Sequence, residues 1–151
     1  MGLQLYTKPI DVAIDGLCVV GRWTPTKLRT PPNPFRLHQL AVVKTIQRTL
    51  DLSASAQQHQ VDAVNPFWHP DYAEPTPARY GYLSLTLGTD DVPGTQFLDK
   101  GVCYRGIAGL LYLVRADVVH RTPPGCFTNR LLMRWRLNAA DYFRLRGQVD
   151  G

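Results

Sequence analysis

The strongest fold signal in this chain is the stretch RLLMRWRL at residues 130–137. Basic and apolar residues alternate along it with a period of two, which is the spacing of a β-strand whose two faces meet different surroundings. One face carries Arg130, Leu132, Arg134 and Arg136, and the other carries Leu131, Met133, Trp135 and Leu137. We therefore predict a strand over 128–138 with an apolar face on a core and arginines on the opposite face.

Further strands are predicted on the N-terminal side of this stretch. Asp15-Gly16 is a hairpin signal between two alternating segments, and residues 80–87 alternate in the same way. Residues 102–120 contain two glycines that disfavour a helix, so they predict one or two more strands.

One clear helix is predicted between these strands, at about residues 34–51. Asn33 is a good N-cap and Pro34 suits the first helical position. Apolar residues then recur at helical spacing, at Leu37, Leu40, Ala41, Ile46 and Leu50. A short helix over 139–146 closes the chain. The expected fold is α+β: an antiparallel sheet of five to six strands, with one main helix packed on it and a short C-terminal helix.

The 151 residues suit a single domain, 1–151, with a long loop at 53–79 that is rich in proline and aromatic residues. Its centre reads NPFWHPDY at residues 65–72. Such aromatic residues anchor interfaces, so the loop docks either on its own domain or on another subunit or partner. The candidate residues for self-association or partner binding are Phe67, Trp68, His69 and Tyr72.

The net charge of +5 is concentrated in the last third of the chain. The sequence has 13 Arg, 4 Lys and 12 acidic residues, and residues 105–151 contain eight Arg and three Asp. Because the guanidinium group grips phosphate and carboxylate through two parallel hydrogen bonds, this bias predicts a surface for an anionic partner. The alternative is that these arginines only solvate one face of a sheet.

Arginines on the predicted strand over 128–138 would lie about 7 Å apart per step, close to the spacing of phosphates or lipid head groups. We expect the anionic partner to be RNA, a nucleoprotein or an anionic membrane surface. The candidate binding residues are Arg130, Arg134, Arg136, Arg144, Arg146, Lys27, Arg29 and Arg36.

Little in the sequence indicates catalysis. Phosphate-binding glycine motifs and hydrolase motifs do not occur, and the three cysteines have no metal-ligand spacing. His69 and Asp71 lie two residues apart, so their side chains could face one way as a metal or acid–base pair, or could simply make a loop hydrogen bond. We expect no enzyme, no metal, no cofactor and no small-molecule substrate.

Three segments carry a family resemblance: NPFRLHQLAVV at 33–43, RGIAGLL at 105–111 and the arginine-rich strand. With the strand and Pro-rich turn before residue 33, they resemble the core of matrix proteins from rhabdovirus-like negative-strand RNA viruses. The resemblance implies a structural viral protein that self-associates, binds the inner membrane face and contacts the nucleocapsid. The chain lacks the Pro-Pro-x-Tyr budding motif of such proteins. The resemblance assigns contact with an anionic partner only to basic residues, namely Lys27, Arg29, Arg36, Arg130, Arg134 and Arg136.

Three functions follow as hypotheses. The first is a self-assembling, virion matrix-like structural protein that binds RNA or an anionic membrane through its arginines. The second is a small sequence-independent nucleic-acid- or protein-binding module from a phage or bacterium. The third is a small enzyme that uses the His69/Asp71 loop. No signal peptide or spanning segment is visible, so we expect an intracellular protein, in host cytoplasm and virion if viral, and at most peripheral to a membrane.

Overall fold

The fold is built from nine strands and two α-helices in the part of the chain that this computed structural model describes, residues 2–53, 57–61, 64–125, 127 and 129–150. In chain order they are β1 (Gly2–Asp11), β2 (Leu17–Thr24), a 3₁₀ turn (Leu37–Gln39), α1 (Ala41–Leu50), β3 (Gln57–Val61), β4 (Gly81–Gly88), β5 (Gln96–Asp99), β6 (Val102–Arg105), β7 (Leu110–Arg115), β8 (Val119–Arg121), β9 (Arg130–Leu137) and α2 (Ala139–Asp150).

The strands form two antiparallel sheets. The larger has the order β1-β2-β7-β4-β9-β3, and the smaller has the order β6-β5-β8. The pairing of β4 with β9 is unbroken from Gly81 opposite Leu137 to Gly88 opposite Arg130. The predicted α+β class, with one main helix and a C-terminal helix on an antiparallel sheet, is therefore confirmed.

The two faces of the larger sheet bury different sets of residues. One face packs on α1, where Val43, Ile46 and Leu50 meet the leucines of β4 and Trp135 of β9. Each such buried side chain contributes about 1.5–3 kcal/mol relative to an exposed one. The other face turns toward the smaller sheet and buries Tyr82, Phe97, Tyr112 and Val114 in a second cluster.

Helix α1 begins at Ala41 rather than near residue 34, and the reason is local. The side-chain oxygen of Asn33 accepts a hydrogen bond from the N–H of Phe35 (2.9 Å), and its carbonyl accepts one from the N–H of Arg36 (3.0 Å). The predicted N-cap therefore closes a separate turn. Leu40 is extended, with ψ of 136°, so the helix can start only after it.

Helix α2 runs beyond the predicted end at residue 146. Tyr142 and Leu145 are buried against the main core. Phe143 is about half exposed, although its ring contacts Tyr80. None of the helices in the described ranges is long and apolar enough to cross a membrane.

Residues 64–80 connect the edge strand β3 to the central strand β4. Backbone hydrogen bonds tie this connection to β8 and its surroundings. They include the N–H of His69 to the carbonyl of His120 (3.0 Å), Thr122 to Asn65 (2.9 Å) and Tyr72 to Ala116 (3.1 Å). The segment that the sequence marked as a long aromatic loop is therefore docked on its own domain along this edge.

Gly81 offers a test of the packing between β4 and α2. A Cβ atom at this position would meet the carbonyl oxygen of Val114 and the ring of Tyr142. We expect Gly81→Ala to lower the free energy of unfolding by about 1–3 kcal/mol, the usual cost of overpacking. Urea titration monitored by circular dichroism measures it.

Gly147→Ala is the matched control, because a Cβ atom there meets nothing within 4 Å. Alanine in a helix is favoured over glycine by about 0.5–1 kcal/mol, so this variant should be as stable as the wild type or more stable. Equal loss of stability in both variants would contradict the packing described for Gly81.

Candidate metal centre

Three potential metal ligands meet where the 64–80 connection crosses β8. His69 and Asp71 come from the connection, and His120 is the middle residue of β8. One ligand atom from each of the three lies within 4.8 Å of the other two. Two imidazoles and a carboxylate therefore converge on one point, although His120 is 49 residues further along the chain than Asp71.

An isolated antiparallel bridge places the two histidines side by side. The N–H of His69 donates to the carbonyl of His120 (3.0 Å), and the N–H of His120 donates back to the carbonyl of His69 (2.9 Å). The ring centroids are 4.5 Å apart. Asp71, two residues after His69, brings its carboxylate to the same cluster.

Both imidazole rings are oriented by a hydrogen bond to the backbone carbonyl two residues earlier. Nδ1 of His69 lies 2.8 Å from the carbonyl oxygen of Phe67, and Nδ1 of His120 lies 3.0 Å from that of Val118. A carbonyl only accepts, so each Nδ1 carries the proton and donates it. Nε2 is then the ring nitrogen left for a metal, as in the usual arrangement of metal-binding histidines.

The carboxylate of Asp71 has a different partner on each oxygen. Its Oδ1 lies 3.3 Å from Nε2 of His120, and its Oδ2 accepts a hydrogen bond from the guanidinium of Arg134. Burial alone would raise the pKa of Asp71, but hydrogen bonds from His120 and Arg134 and the Arg134 charge together hold it below its usual range. Asp71 is therefore an anionic ligand at neutral pH.

Asp71 Oδ1 and His120 Nε2 face each other at 3.3 Å. A proton on Nε2 makes this contact a hydrogen bond, and a metal ion would take the place of that proton and bind both atoms. Metal binding at this point would therefore compete with protons.

Arg134 and Tyr82 form the wall behind the ligands. The guanidinium carbon of Arg134 lies 3.8 Å above the centroid of the Tyr82 ring. The Tyr82 hydroxyl is 3.3 Å from Nδ1 of His120, and burial raises the pKa of this tyrosine, so it stays protonated. The pair thus touches both Asp71 and His120 from the side of the larger sheet.

A small cavity of about 60 Å³ opens beside the ligands. Most of its wall is polar but uncharged, and it also includes Arg121 and Arg134. Apart from the two histidines, the lining residues are Asn65, Tyr82, Ser84, Thr95, Arg121, Thr122, Leu132 and Arg134. None of these carries a second carboxylate, so the cavity itself favours neutral or anionic groups beside the metal.

The aromatic residues predicted for self-association are spread along the connection. Phe67 is 77% exposed, while the ring of Trp68 lies 4.1 Å below the guanidinium of Arg121. The Tyr72 hydroxyl accepts a hydrogen bond from Arg79. Of the predicted four, His69 is the one that the structure places in the ligand cluster.

The arginine row of β9 lies on one face, as its alternation predicts, but that face lines the space between the two sheets. Arg130 is 2% exposed, its Nε donates to the carbonyl of Pro93 (3.0 Å), and burial lowers its pKa to about 10. Arg134 holds Asp71, and Arg136 is exposed. The row is therefore not one open cationic surface.

The remaining predicted basic residues lie apart from this cavity. Arg144 donates to the carbonyl of Leu50 (3.0 Å), and Arg146 contacts Sγ of Cys18 (3.2 Å) and Asp11. Lys27 pairs with Asp91 (3.3 Å), and Arg29 and Arg36 are exposed.

Sequence reasoning missed His120, Tyr82 and the role of Arg134. The spacing His69-x-Asp71 was a usable signal, since it left a metal or acid–base pair open. His120 sits in an apolar stretch and looked like any scattered histidine. The strand that contains His120 pairs with His69, which is distant in sequence, and a local pattern of apolar residues does not predict such a pairing.

Comparison with known proteins gives little for the chain as a whole. No protein-family model and no curated protein matches it. A crystal structure of a Pseudomonas putida prolyl-4-hydroxylase matches with a TM-score of 0.40 and 20% identity, over 69% of this chain and 62% of that one. This chain therefore spans less than two thirds of that protein, and a likeness at this level transfers no activity.

The resemblance to rhabdovirus-like matrix proteins is wrong, and with it the assignment as a virion structural protein. No family model and no curated protein of that kind matches the chain. The segments that suggested the resemblance are generic. Residues 33–43 form turns and the start of α1, and residues 105–111 run from the end of β6 through a turn into β7. The expectation that the chain is not an enzyme is likewise wrong, since the structure brings His69, Asp71 and His120 together as a potential metal site.

The ion pair of Asp71 predicts how stability depends on pH. Its folded pKa is depressed, so its contribution is present above the pKa of an unfolded aspartate, about 4, and is lost as pH falls through the folded value. For the metal-free protein we expect Asp71→Asn to be less stable by about 2 kcal/mol at pH 7, since the pair is partly exposed. The difference should shrink below pH 4.

Urea unfolding of both proteins between pH 7 and pH 2 measures this difference. Asp91→Asn is the control, because that side chain is 94% exposed and should change stability little at any pH. A wild-type advantage over Asp71→Asn that stays constant down to pH 2 would show that the charge of Asp71 is not its source.

Proposed function

We propose that this protein is a metal-dependent enzyme of the non-haem iron oxygenase type, which holds one ferrous ion through Nε2 of His69, Nε2 of His120 and Oδ1 of Asp71. The observation that carries the proposal is the convergence of these three side chains within 4.8 Å, each with its second polar atom already engaged. It develops the hypothesis of an enzyme built on the His69/Asp71 loop.

The donor set favours iron over other metals. Two histidines and one carboxylate that leave neighbouring positions open are the ligand set of non-haem iron(II) oxygenases. Zinc hydrolases also use three protein ligands, but many need a general base beside the metal-bound water. The residues that line the cavity supply no second carboxylate for that role.

The spacing of the donors supports binding of a single ion. Two ligands at right angles, each about 2.1 Å from a metal, lie about 3 Å apart. Asp71 Oδ1 and His120 Nε2 are 3.3 Å apart, close to that value. A small rotation of the side chains is enough to complete the site.

The wall of the cavity also provides for a further ligand. The buried Nε of Arg134 has no hydrogen-bond acceptor within the described part of the chain. A buried N–H group without an acceptor lowers the stability of the protein unless a bound molecule accepts a hydrogen bond from it. An anionic or carbonyl-bearing molecule beside the metal would satisfy it.

A ferrous ion bound here would supply the binding and activation of dioxygen. The protein's own residues hold the ligands in place: Phe67 and Val118 fix the imidazole rings through their carbonyls, and Arg134 fixes the carboxylate. The small size of the cavity limits the access of water to the reacting groups.

Metal binding is the first test. Anaerobic titration of metal-free protein with Fe(II), followed by calorimetry and metal analysis, should give one ion per chain. His69→Ala, Asp71→Ala and His120→Ala should each weaken binding by more than the about 10–100-fold typical of outer-shell changes. His38→Ala, at an exposed histidine outside the cluster, should bind as the wild type does.

Reaction with dioxygen tests the class of enzyme. The Fe(II)-loaded protein should consume dioxygen with organic substrates or reductants present, and the three ligand variants should not. The Zn(II)-loaded protein should be inactive in the same assay. Fe(II) binding no tighter in the wild type than in His120→Ala, or uptake unaffected by the ligand variants, would overturn the proposal.

A further inference from the structure

Asp71 is held so that only one of its oxygens faces the other ligands. Oδ1 lies 3.3 Å from Nε2 of His120, while Oδ2 is engaged by Nη2 of Arg134. The side chains of Asp71 and Arg134 are 20% and 14% exposed, so water offers Oδ2 little competition for this contact. A carboxylate held in this way is prevented from turning its second oxygen to a metal.

Arg134 is itself held by Tyr82. The guanidinium carbon lies over the Tyr82 ring, 3.8 Å from its centroid, and Tyr82 is 3% exposed. The two residues lie on neighbouring strands, because Ser84 of β4 is directly opposite Arg134 of β9 and Tyr82 is the diagonal neighbour. The position of the guanidinium thus derives from the central strand pair of the larger sheet.

We propose that Arg134 and Tyr82 are positioning residues that make Asp71 a one-oxygen metal ligand, keeping a coordination position open that a chelating carboxylate would fill. The inference rests on the proposed metal centre and adds the residues that set its geometry. Tyr82 acts through its ring on Arg134, and Arg134 acts through its guanidinium on Oδ2 of Asp71.

Arginine is needed here for its shape as well as its charge. A guanidinium is planar, stacks on an aromatic face and directs its N–H groups in fixed directions. The ammonium group of lysine is compact and strongly hydrated, so it would neither stack on Tyr82 nor present a fixed donor to Oδ2. Lysine at this position should therefore restore the charge without restoring the geometry.

Co(II) is the probe for the test, because its visible spectrum responds to the number and arrangement of its ligands. We expect Arg134→Met to weaken Co(II) binding by about 10–100-fold, as outer-shell substitutions do, and to change the spectrum of the bound ion. Arg134→Lys should restore little of the wild-type Co(II) affinity and little of the wild-type spectrum. Tyr82→Leu should act in the same direction, whereas Tyr82→Phe keeps the ring and should stay close to the wild type.

Arg136→Met is the matched control, since Arg136 is on the same strand but exposed. Guanidinium ion at millimolar concentrations should restore part of the Co(II) affinity of Arg134→Ala, while urea at the same concentration should not. Circular dichroism confirms folding of each variant before titration. If Arg134→Met does not fold, the Co(II) affinity and spectrum are compared with those of Arg134→Lys and Tyr82→Leu instead.

The outcomes separate this inference from the proposed function. A wild type that binds neither Co(II) nor Fe(II) removes the metal centre and the positioning pair together. A wild type that binds Co(II) in the same way as folded Arg134→Met and Tyr82→Leu, with identical spectra, keeps the metal centre and overturns the positioning role. Lower stability of the metal-free variants without a change in spectrum or affinity would also overturn it.

Discussion

The candidate site depends on two backbone hydrogen bonds between His69 and His120. They join the long connection 64–80 to the three-residue strand β8. Fixing such a connection costs conformational entropy, about 1–2 kcal/mol for each residue ordered. The bridge pairs the two histidines directly, so the same bonds that dock the segment also bring the imidazole rings together. The connection that carries His69 and Asp71 and the strand that carries His120 are therefore positioned by each other.

The charges of the site are balanced within a small volume. Asp71 carries one negative charge against the guanidinium of Arg134, and His120 faces the same carboxylate. Burying an ion pair gains little net stability, because desolvation offsets the attraction, whereas leaving one partner alone is costly. The arrangement is therefore better explained by the placement of a ligand than by stability. Two features agree with that explanation. The Nε of Arg134 finds no acceptor among the described residues, and Oδ1 of Asp71 faces Nε2 of His120 at 3.3 Å.

Alternation in the sequence predicted β9 well, because one face of this strand packs into the core that α1 covers. Leu131, Met133 and Trp135 could be assigned to the core on that basis, and they are fully buried. The start of α1 was misplaced because Asn33 forms a turn of its own and Leu40 is extended. The site was mostly missed. Its ligands come from a loop and a three-residue strand, and these segments are too short to show an alternation of apolar and polar residues.

Local alternation in the amino-acid sequence is enough to assign the fold class, the strand along 130–137 and the placement of three arginines on one of its faces, because these follow from a period of two. Tertiary structure alone decided what that face meets. A second sheet covers it, so Arg130 is buried and Arg134 turns to Asp71 instead of a phosphate. Tertiary structure also decided that His120 meets His69-x-Asp71, because pairing between distant segments depends on long-range packing that no local pattern encodes.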